Sequence, residues 1–162
     1  MERDTRKQQT PAECTFCRIV RGELPAHIVA EDAWTMAFLD HRPLVPGHCL
    51  VIPKAHHVTI ADLPAAVITP LFASVQRVAR AVEAGMEADG TFVAINNRVS
   101  QSVSHLHVHI VPRRFKDGLF TANFVWKRRP YPDEAAAEAT RRAIQEALER
   151  LTTANESAPI SR

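Results

Sequence analysis

The segment His-Leu-His-Val-His-Ile-Val, residues 105–111, is the stretch of this chain that says most about its fold. Histidine alternates with apolar residues, and in a β-strand successive side chains point to opposite faces of the sheet. The apolar side chains should therefore pack against a covering layer of helices. The imidazoles should form a row on the other face: His105, His107 and His109.

Three imidazoles in one row are difficult to explain by packing alone. Histidine destabilises a core unless its ring nitrogens are hydrogen bonded. Two chemical interpretations remain for the row: it binds a metal ion, or it binds and attacks a phosphate group. The residue types by themselves favour neither interpretation.

Strands and helices are predicted in separate blocks around this segment. The first block contains β-prone runs, of which the first two should form a hairpin: residues 26–30, 34–39 and 48–52. A helical block follows, then two more strands over residues 91–95 and 105–111. A last helix is predicted over residues 133–151. This order predicts an α+β fold, an antiparallel sheet with two main helices on one face.

The helical block extends from Leu63 to Met86, where apolar residues recur every three or four positions. Asp62 precedes it and has the side chain of a good N-cap. Pro70 lies inside the periodic segment and should break or kink the helix near Thr69, since proline has no backbone N–H.

Composition predicts one domain with a sizeable core. The chain has 162 residues, of which 46% are hydrophobic. The domain is expected over residues 13–151. The polar and charged residues 1–12 and 152–162 are expected to be mobile tails.

Charge and hydropathy argue against two classes of function. The formal net charge is only +2, whereas proteins that bind nucleic acid through phosphates usually carry a stronger basic bias. No apolar run approaches the roughly 18 to 20 residues that span a bilayer. The N-terminus also lacks the apolar stretch of a signal peptide. We therefore expect a cytoplasmic protein that binds neither nucleic acid nor a membrane.

Cysteine usage points to a metal rather than a disulfide. Cys14 and Cys17 are separated by two residues, which is the spacing of half a zinc site. In a reducing cytosol the alternative is a pair of free thiols. Cys49 lies in an apolar run and is expected to be a small core residue.

Residues 105–111 resemble the His-φ-His-φ-His-φ-φ signature of the histidine triad (HIT) family, where φ is an apolar residue. Further matches occur in the family's order and spacing: Cys-Thr-Phe-Cys-Arg-Ile at 14–19, Gly-Glu-Leu-Pro-Ala at 22–26, Ala-Phe-Leu-Asp at 37–40, Pro-Gly-His at 46–48 and Leu-Val-Ile-Pro-Lys at 50–54. The chain is similar to zinc-containing bacterial members. The resemblance implies a homodimer that acts on nucleotides, expected to be purine nucleotides, at the α-phosphate.

The resemblance also implies catalytic roles. His107 would attack the α-phosphorus and form a covalent nucleotidyl-imidazole, for which neutral imidazole is well suited near pH 7. His109 would donate to the non-bridging phosphate oxygens. Ser102 would hydrogen-bond the leaving group, and Gln101 would contact phosphate. His48 would support the active site.

A nucleoside site is implied by the same resemblance. Asp40 would accept hydrogen bonds from the ribose hydroxyls, although a turn cap is an alternative interpretation of this carboxylate. Apolar side chains would enclose the base: Phe16, Ile19, Phe38 and Leu39. Either Asn96 or Asn97 matches the family asparagine. The loop after them departs from the family, because it is shorter and lacks a glycine that could adopt positive φ near phosphate.

Zinc is the cofactor that the resemblance implies. In zinc-containing relatives the cysteine pair, here Cys14 and Cys17, shares the metal with two histidines. These would be His105 and either His56 or its neighbour His57, with His56 at the matching position. Four protein ligands would make the zinc structural rather than catalytic.

The leading hypothesis is a nucleotidyl hydrolase or nucleotidyltransferase that works through nucleotidyl-His107. Its substrate would be a nucleoside phosphoramidate or a dinucleoside polyphosphate. One alternative is a nucleotide-binding regulatory module with little turnover. Another is a catalytic metal site formed by the three histidines of residues 105–109.

Overall fold

A computed structural model describes residues 10–119 and 128–156 of the chain. Most of the predicted N-terminal tail and residues 157–162 of the other tail lie outside these ranges. Among the helices described, none is both long and apolar enough to cross a membrane.

One antiparallel sheet organises the described residues. Its strands are β1 (Ile28–Glu31), β2 (Thr35–Leu39), β3 (Cys49–Pro53), β4 (Gly90–Ile95) and β5 (Val108–Arg113). They lie side by side in the order β1-β2-β3-β5-β4. The helices are α1 (Thr15–Val20), α2 (Ala65–Gly85) and α3 (Glu134–Glu156), and a short 3₁₀ helix (Ile60–Asp62) precedes α2. The predicted α+β class, the initial hairpin and the two main helices are confirmed.

The two faces of the sheet carry different layers, as the alternation of side chains along β3 shows. Cys49 and Val51 belong to the core on the side of α2 and α3. Leu50 and Ile52 belong to a second cluster, which they share with Phe16 and other residues of α1. Cys49 is therefore a core residue, as predicted. The side chains of the site lie on the α1 face.

Helix α2 differs from the prediction in two respects: Pro70 does not interrupt it, and Asp62 is not its N-cap. It is continuous through Pro70. The apolar side chains on either side of Pro70, including Val67 and Leu71, are buried in the core, and this packing outweighs one missing backbone hydrogen bond. Asp62 does not cap α2; its carboxylate accepts hydrogen bonds from the N–H and hydroxyl of Thr59 and closes the 3₁₀ helix.

Helix α3 begins as predicted and ends later. The Asp133 carboxylate accepts a hydrogen bond from the Ala136 N–H at 2.8 Å and caps the first turn. The helix ends at Glu156 rather than at the predicted residue 151. The hydroxyl of Thr152 donates to the carbonyl of Leu148 inside this additional turn.

Residues 105–111 enter the sheet later than predicted. Strand β5 begins at Val108, so His105 and His107 precede it and only His109 lies on it. The reason is that the Leu106 N–H donates to the carbonyl of His57, at 2.6 Å, in a connection outside the sheet. The apolar residues between the histidines are nevertheless buried on the α2 side, as the alternation predicts.

Candidate active site and metal centre

Four potential metal ligands meet where α1, the end of β3 and the approach to β5 converge. They are Cys14, Cys17, His56 and His105, and their ligand atoms lie within 4.8 Å of one another. The Cys14 Sγ is 3.4 Å from the His105 Nδ1, and the Cys17 Sγ is 3.3 Å from the His56 Nδ1. Tetrahedral zinc, with Zn–S about 2.3 Å and Zn–N about 2.0–2.1 Å, would separate sulfur and nitrogen ligands by about 3.5 Å. The cluster therefore has the size and donors that zinc requires, and His57 is not part of it.

The protonation state of His105 also suits a metal. Its Nε2 lies 2.8 Å from the carbonyl oxygen of Pro53, which can only accept, so Nε2 carries the hydrogen. The lone pair is then on Nδ1, which faces the cysteines. Burial and the neighbouring Cys14 raise the pKa of the Cys17 thiol to about 11. Metal binding would therefore have to displace a proton from this thiol.

A cavity of about 1240 Å³ opens on the α1 face of the sheet. Most predicted site residues line it: Phe16, Ile19, Phe38, Leu39, Asp40, His48, Asn96, Ser102, His107 and His109. The two candidate asparagines lie in different surroundings. Asn96 lines the cavity, while the Asn97 Oδ1 accepts a hydrogen bond from the N–H of Ile60 at 3.0 Å. The structure thus brings the predicted catalytic and nucleoside-binding side chains into one space, with Asn97 and Gln101 as exceptions.

His107 is held in one tautomer by the backbone. Its Nδ1 lies 2.7 Å from the carbonyl oxygen of His105, so Nδ1 carries the hydrogen and Nε2 carries the lone pair. Burial lowers the pKa of His107, which keeps the ring neutral at pH 7. The ring of Phe16 contacts the imidazole edge-on, with the centroids 5.3 Å apart. His107 therefore lines the cavity as a neutral imidazole of fixed orientation, with its lone pair on Nε2.

A chain of hydrogen bonds fixes the neighbouring tautomers. The N–H of Leu44 donates to the His48 Nδ1 at 3.2 Å, so the hydrogen of His48 is on Nε2. The His48 Nε2 lies 3.0 Å from the His109 Nδ1 and donates to it. The hydrogen of His109 is then on Nε2, which is buried and has no hydrogen-bond partner among the described residues. Such an N–H is a ready donor for an anionic oxygen.

His48 and His109, the two histidines joined by this hydrogen bond, are both neutral at physiological pH. Burial lowers the pKa of His48 to about 4. Burial, together with the nearby His107, lowers the pKa of His109 to about 3. The Asp40 carboxylate, whose Oδ2 is 3.5 Å from the His48 Nδ1, opposes these shifts without reversing them.

Asp40 caps a turn, as one of the two interpretations predicts, and also lines the cavity. Its Oδ1 accepts a hydrogen bond from the N–H of Arg42 at 2.8 Å and so caps the turn after β2. The residue also lines the cavity, and its Oδ2 lies 3.6 Å from the guanidinium of Arg128. The carboxylate therefore stabilises the turn and faces the space where a ligand would lie.

Gln101, for which a phosphate contact is predicted, does not line the cavity, and both ends of its amide bind backbone groups. The Oε1 accepts a hydrogen bond from the N–H of Arg98 at 2.8 Å. The Nε2 donates to the carbonyls of Val58 at 2.7 Å and His105 at 3.3 Å. The side chain is buried and is not among the residues that line the cavity. Its contacts are with the backbone, not with a phosphate position.

The loop without glycine still adopts left-handed backbone conformations. Arg98 has φ 67° and Ser100 has φ 60°. For residues other than glycine this conformation costs roughly 1–2 kcal/mol each. The hydrogen bond from the Arg98 N–H to Gln101 helps to hold the first of them. The loop therefore adopts positive φ without glycine, at a cost in conformational energy.

Several cavity residues were not predicted. They include Leu44, Val103, His27, Glu134, Glu138 and Arg128. The glutamates come from the start of α3, and the Glu134 Oε1 is 3.2 Å from the His27 Nε2. Arg128 belongs to the basic stretch at 126–129, whose first two residues lie outside the described ranges. Apart from the run of basic residues that includes Arg128, no local pattern marks these side chains, because they reach the cavity only through the packing of distant segments.

Stability should depend on pH through the buried histidine pair. Both pKa values lie below the ordinary 6.5, so the unfolded chain binds these protons more readily than the folded one. The free energy of unfolding should therefore be highest above pH 6.5 and should fall as the pH decreases towards about 4. Denaturant unfolding of the zinc-loaded protein at a series of pH values measures this slope.

The variant His109→Asn should reduce the slope, since it removes one buried imidazole. His41→Asn is the matched control, because the His41 side chain is 87% exposed and lies outside the hydrogen-bonded pair. An equal slope in wild type and His109→Asn would contradict the assignment of this pH dependence to the buried pair.

Comparison with known proteins agrees with this geometry. The HIT domain family model matches residues 21–116. An "uncharacterized HIT-like protein" of Mycobacterium tuberculosis is 43% identical over 137 residues, which cover 83% of this chain and 92% of that protein. A protein of Arabidopsis thaliana named adenylylsulfatase is 31% identical, covering 78% and 65% of the two chains. A protein of Saccharomyces cerevisiae named adenosine 5'-monophosphoramidase is 35% identical, covering 68% and 71%.

Among solved structures, a zinc-bound histidine triad family protein from Mycobacterium smegmatis superimposes with a TM-score of 0.77 at 39% identity. The match covers 90% of this chain and 99% of that one. The matched family model spans β1 to β5 and therefore includes the histidine segment and the strands beside it. The chain belongs to the histidine triad (HIT) family.

Proposed function

We propose that this protein is a nucleotidyl hydrolase or nucleotidyltransferase that acts at the α-phosphate through a covalent nucleotidyl-His107. The observation that carries the proposal is the pairing of a nucleophile with an unpartnered donor. The Nδ1–H of His107 is bound to a backbone carbonyl, which leaves a lone pair on Nε2. The ring of His109, whose Nε2–H is unpartnered among the described residues, has its centroid 4.8 Å from that of His107.

In the first step the lone pair of the His107 Nε2 forms a bond to the α-phosphorus. The bond from phosphorus to the leaving group breaks, and its electron pair goes to the leaving group, which takes a proton from water. The Nε2–H of His109 donates to a non-bridging oxygen, where negative charge increases in the transition state. The hydroxyl of Ser102 donates to the leaving group. Because both donors are neutral groups, they function at pH 7 without a change of protonation.

In the second step water attacks the phosphorus of the nucleotidyl-imidazole. The phosphorus–nitrogen bond breaks, the electron pair returns to the His107 Nε2, and the water loses a proton to solvent. The product is a nucleoside monophosphate. If another acceptor replaces water, the same step is a nucleotidyl transfer.

The nucleoside would occupy the part of the cavity nearest α1 and β2. The base would lie among Phe16, Ile19 and Phe38, which line the cavity. Leu39 lines it as well, but its side chain belongs to the core on the side of α2 and α3. The Oδ2 of Asp40 would accept hydrogen bonds from the ribose hydroxyls, and Asn96 faces the same space. This apolar surface suits the large face of a purine.

The substrate class is a nucleoside phosphoramidate or a dinucleoside polyphosphate. The names of two relatives, an adenylylsulfatase and an adenosine 5'-monophosphoramidase, support an adenylated substrate with a leaving group on the α-phosphate. Brief exposure of the protein to adenosine 5'-phosphoramidate, followed by acid quench and mass spectrometry, tests the proposal. The expected result is one nucleotidyl mass increase that maps to His107.

The second candidate function is a nucleotide-binding regulatory module with little turnover. The apolar pocket and Asp40 would serve binding alone equally well. Absence of both adduct and turnover with adenylated and guanylated substrates would favour this candidate. A catalytic metal held by all three histidines is less consistent with the geometry. His105 groups with the cysteines, His109 groups with Asp40 and His48, and His107 belongs to neither group.

We also propose that the cluster of Cys14, Cys17, His56 and His105 holds a structural zinc ion. Four protein ligands complete a tetrahedral shell and leave no open position for substrate. When bound, zinc supplies a cross-link between α1, the end of β3 and the segment before β5. A homodimer and a cytoplasmic location stay predictions of the sequence.

A further inference from the structure

Gln101 connects three segments that surround the proposed nucleophile. Its side chain is buried, with 7% of its surface exposed, and both of its polar atoms are engaged with backbone groups. The Oε1 accepts from the N–H of Arg98, in the loop before it. The Nε2 donates to the carbonyl of Val58, two residues after the metal-cluster residue His56, and to the carbonyl of His105.

The carbonyl of His105 links Gln101 to the proposed nucleophile, His107. It accepts one hydrogen bond from the Gln101 Nε2 at 3.3 Å and another from the His107 Nδ1 at 2.7 Å. The second bond determines which nitrogen of His107 carries the hydrogen. A displacement of this carbonyl would remove the acceptor and allow the hydrogen to move to Nε2, where it would occupy the nucleophilic lone pair.

We propose that Gln101 is a positioning residue that holds the His105 carbonyl in place and thereby keeps His107 in its Nδ1–H tautomer. The inference rests on the proposed function in one respect, since it assigns the tautomer a role in the reaction. It does not depend on a contact between Gln101 and phosphate. Such a contact would require a free amide group at the cavity, whereas both ends of this amide are bound to backbone groups.

Two variants remove the donor in different ways. Gln101→Glu keeps an acceptor for the N–H of Arg98 but places a carboxylate oxygen against two carbonyls. Gln101→Met keeps the approximate volume and removes all hydrogen bonds. If the glutamate variant fails to fold, the methionine variant provides the same comparison, because it introduces no buried charge.

The main measurement is the tautomer of His107 in the zinc-loaded protein without substrate, from the ¹⁵N chemical shifts of its ring. In wild type we expect a protonated Nδ1 and an unprotonated Nε2. In either variant we expect a mixture of tautomers or the Nε2–H form. We also expect kcat to fall on the order of tenfold to a hundredfold, with a much smaller change in the affinity for AMP. This measurement needs no turnover, so it can fail or succeed independently of the proposed function.

Asn97→Ala is the matched control. Asn97 lies in the same loop as Gln101, and its side chain also binds a backbone group, the N–H of Ile60. No hydrogen bond to the His105 carbonyl is found for it among the described residues. We expect this variant to leave the His107 tautomer unchanged. The proposal is overturned if His107 keeps its wild-type tautomer in the Gln101 variants, whether or not activity falls. A selective loss of AMP affinity with an unchanged tautomer would assign Gln101 to phosphate binding instead.

Discussion

Replacement of His107 by alanine is expected to lower kcat on the order of 10⁴-fold or more, because the variant has no atom that can form the nucleotidyl intermediate. The covalent mass increase seen with wild type should disappear. Affinity for AMP and zinc content should change little, since the base and the ribose would contact other residues of the cavity and His107 is not a member of the metal cluster. Single-turnover kinetics, quench mass spectrometry and metal analysis of the purified variant measure these quantities.

His57→Ala is the control for this experiment. His57 lies beside the segment that carries His107, but it neither lines the cavity nor belongs to the metal cluster. Its connection to the segment before β5 is through its backbone carbonyl, which the substitution keeps. The control should retain activity and adduct. Turnover by His107→Ala at the wild-type rate would exclude the covalent mechanism, and loss of metal together with activity would favour catalysis by a metal ion.

Replacement of Cys17 by serine is expected to abolish stoichiometric zinc binding and to lower the stability of the zinc-loaded protein by about 4 kcal/mol or more. Serine offers zinc a much poorer ligand than a thiolate, and the three ligands that remain are contributed by distant segments. The proposed zinc cross-link would join α1 to the sheet, so without it the side of the cavity formed by Phe16 should become more mobile. Metal analysis and thermal unfolding with and without a chelator measure the effect.

Cys49→Ala separates loss of metal from loss of a buried thiol. Cys49 is fully buried in the core on the opposite face of the sheet and is not a member of the cluster. We expect it to lower stability moderately while zinc content stays at one ion per chain. A second comparison uses adjacent residues: His56→Ala should lose zinc and His57→Ala should keep it. Wild-type zinc content in Cys17→Ser, or loss of zinc in His57→Ala alone, would be inconsistent with the proposed cluster.

The prediction from sequence succeeded where a local pattern carries the information. The alternation in residues 105–111 predicted which side chains face the helices, although His105 and His107 precede the strand. Pro70 illustrates the opposite case. Its local preference predicts a break, but the burial of residues on both sides keeps α2 continuous. Propensity is a weak constraint where tertiary packing opposes it.

The assignment of Gln101 shows why site prediction from sequence was incomplete. A resemblance assigned it to phosphate, whereas the folded chain surrounds it with the backbone of Arg98, Val58 and His105. These partners are separated from it by as many as 43 positions in the sequence. Residue type defines what an amide can donate and accept. It does not define which groups the fold places within reach.

By itself, the sequence determined the α+β class and the two faces of the histidine segment, since these depend on periodicity, while the family resemblance implied the Cys₂His₂ donor set. Only the tertiary structure places Asn96 rather than Asn97 at the cavity, groups His56 rather than His57 with the cysteines, and engages one nitrogen of His107 while it leaves the other free. The physical reason is that each of these choices depends on a hydrogen-bond or ligand partner brought close by folding. A lone pair is available for chemistry only after the surrounding backbone has engaged the other nitrogen.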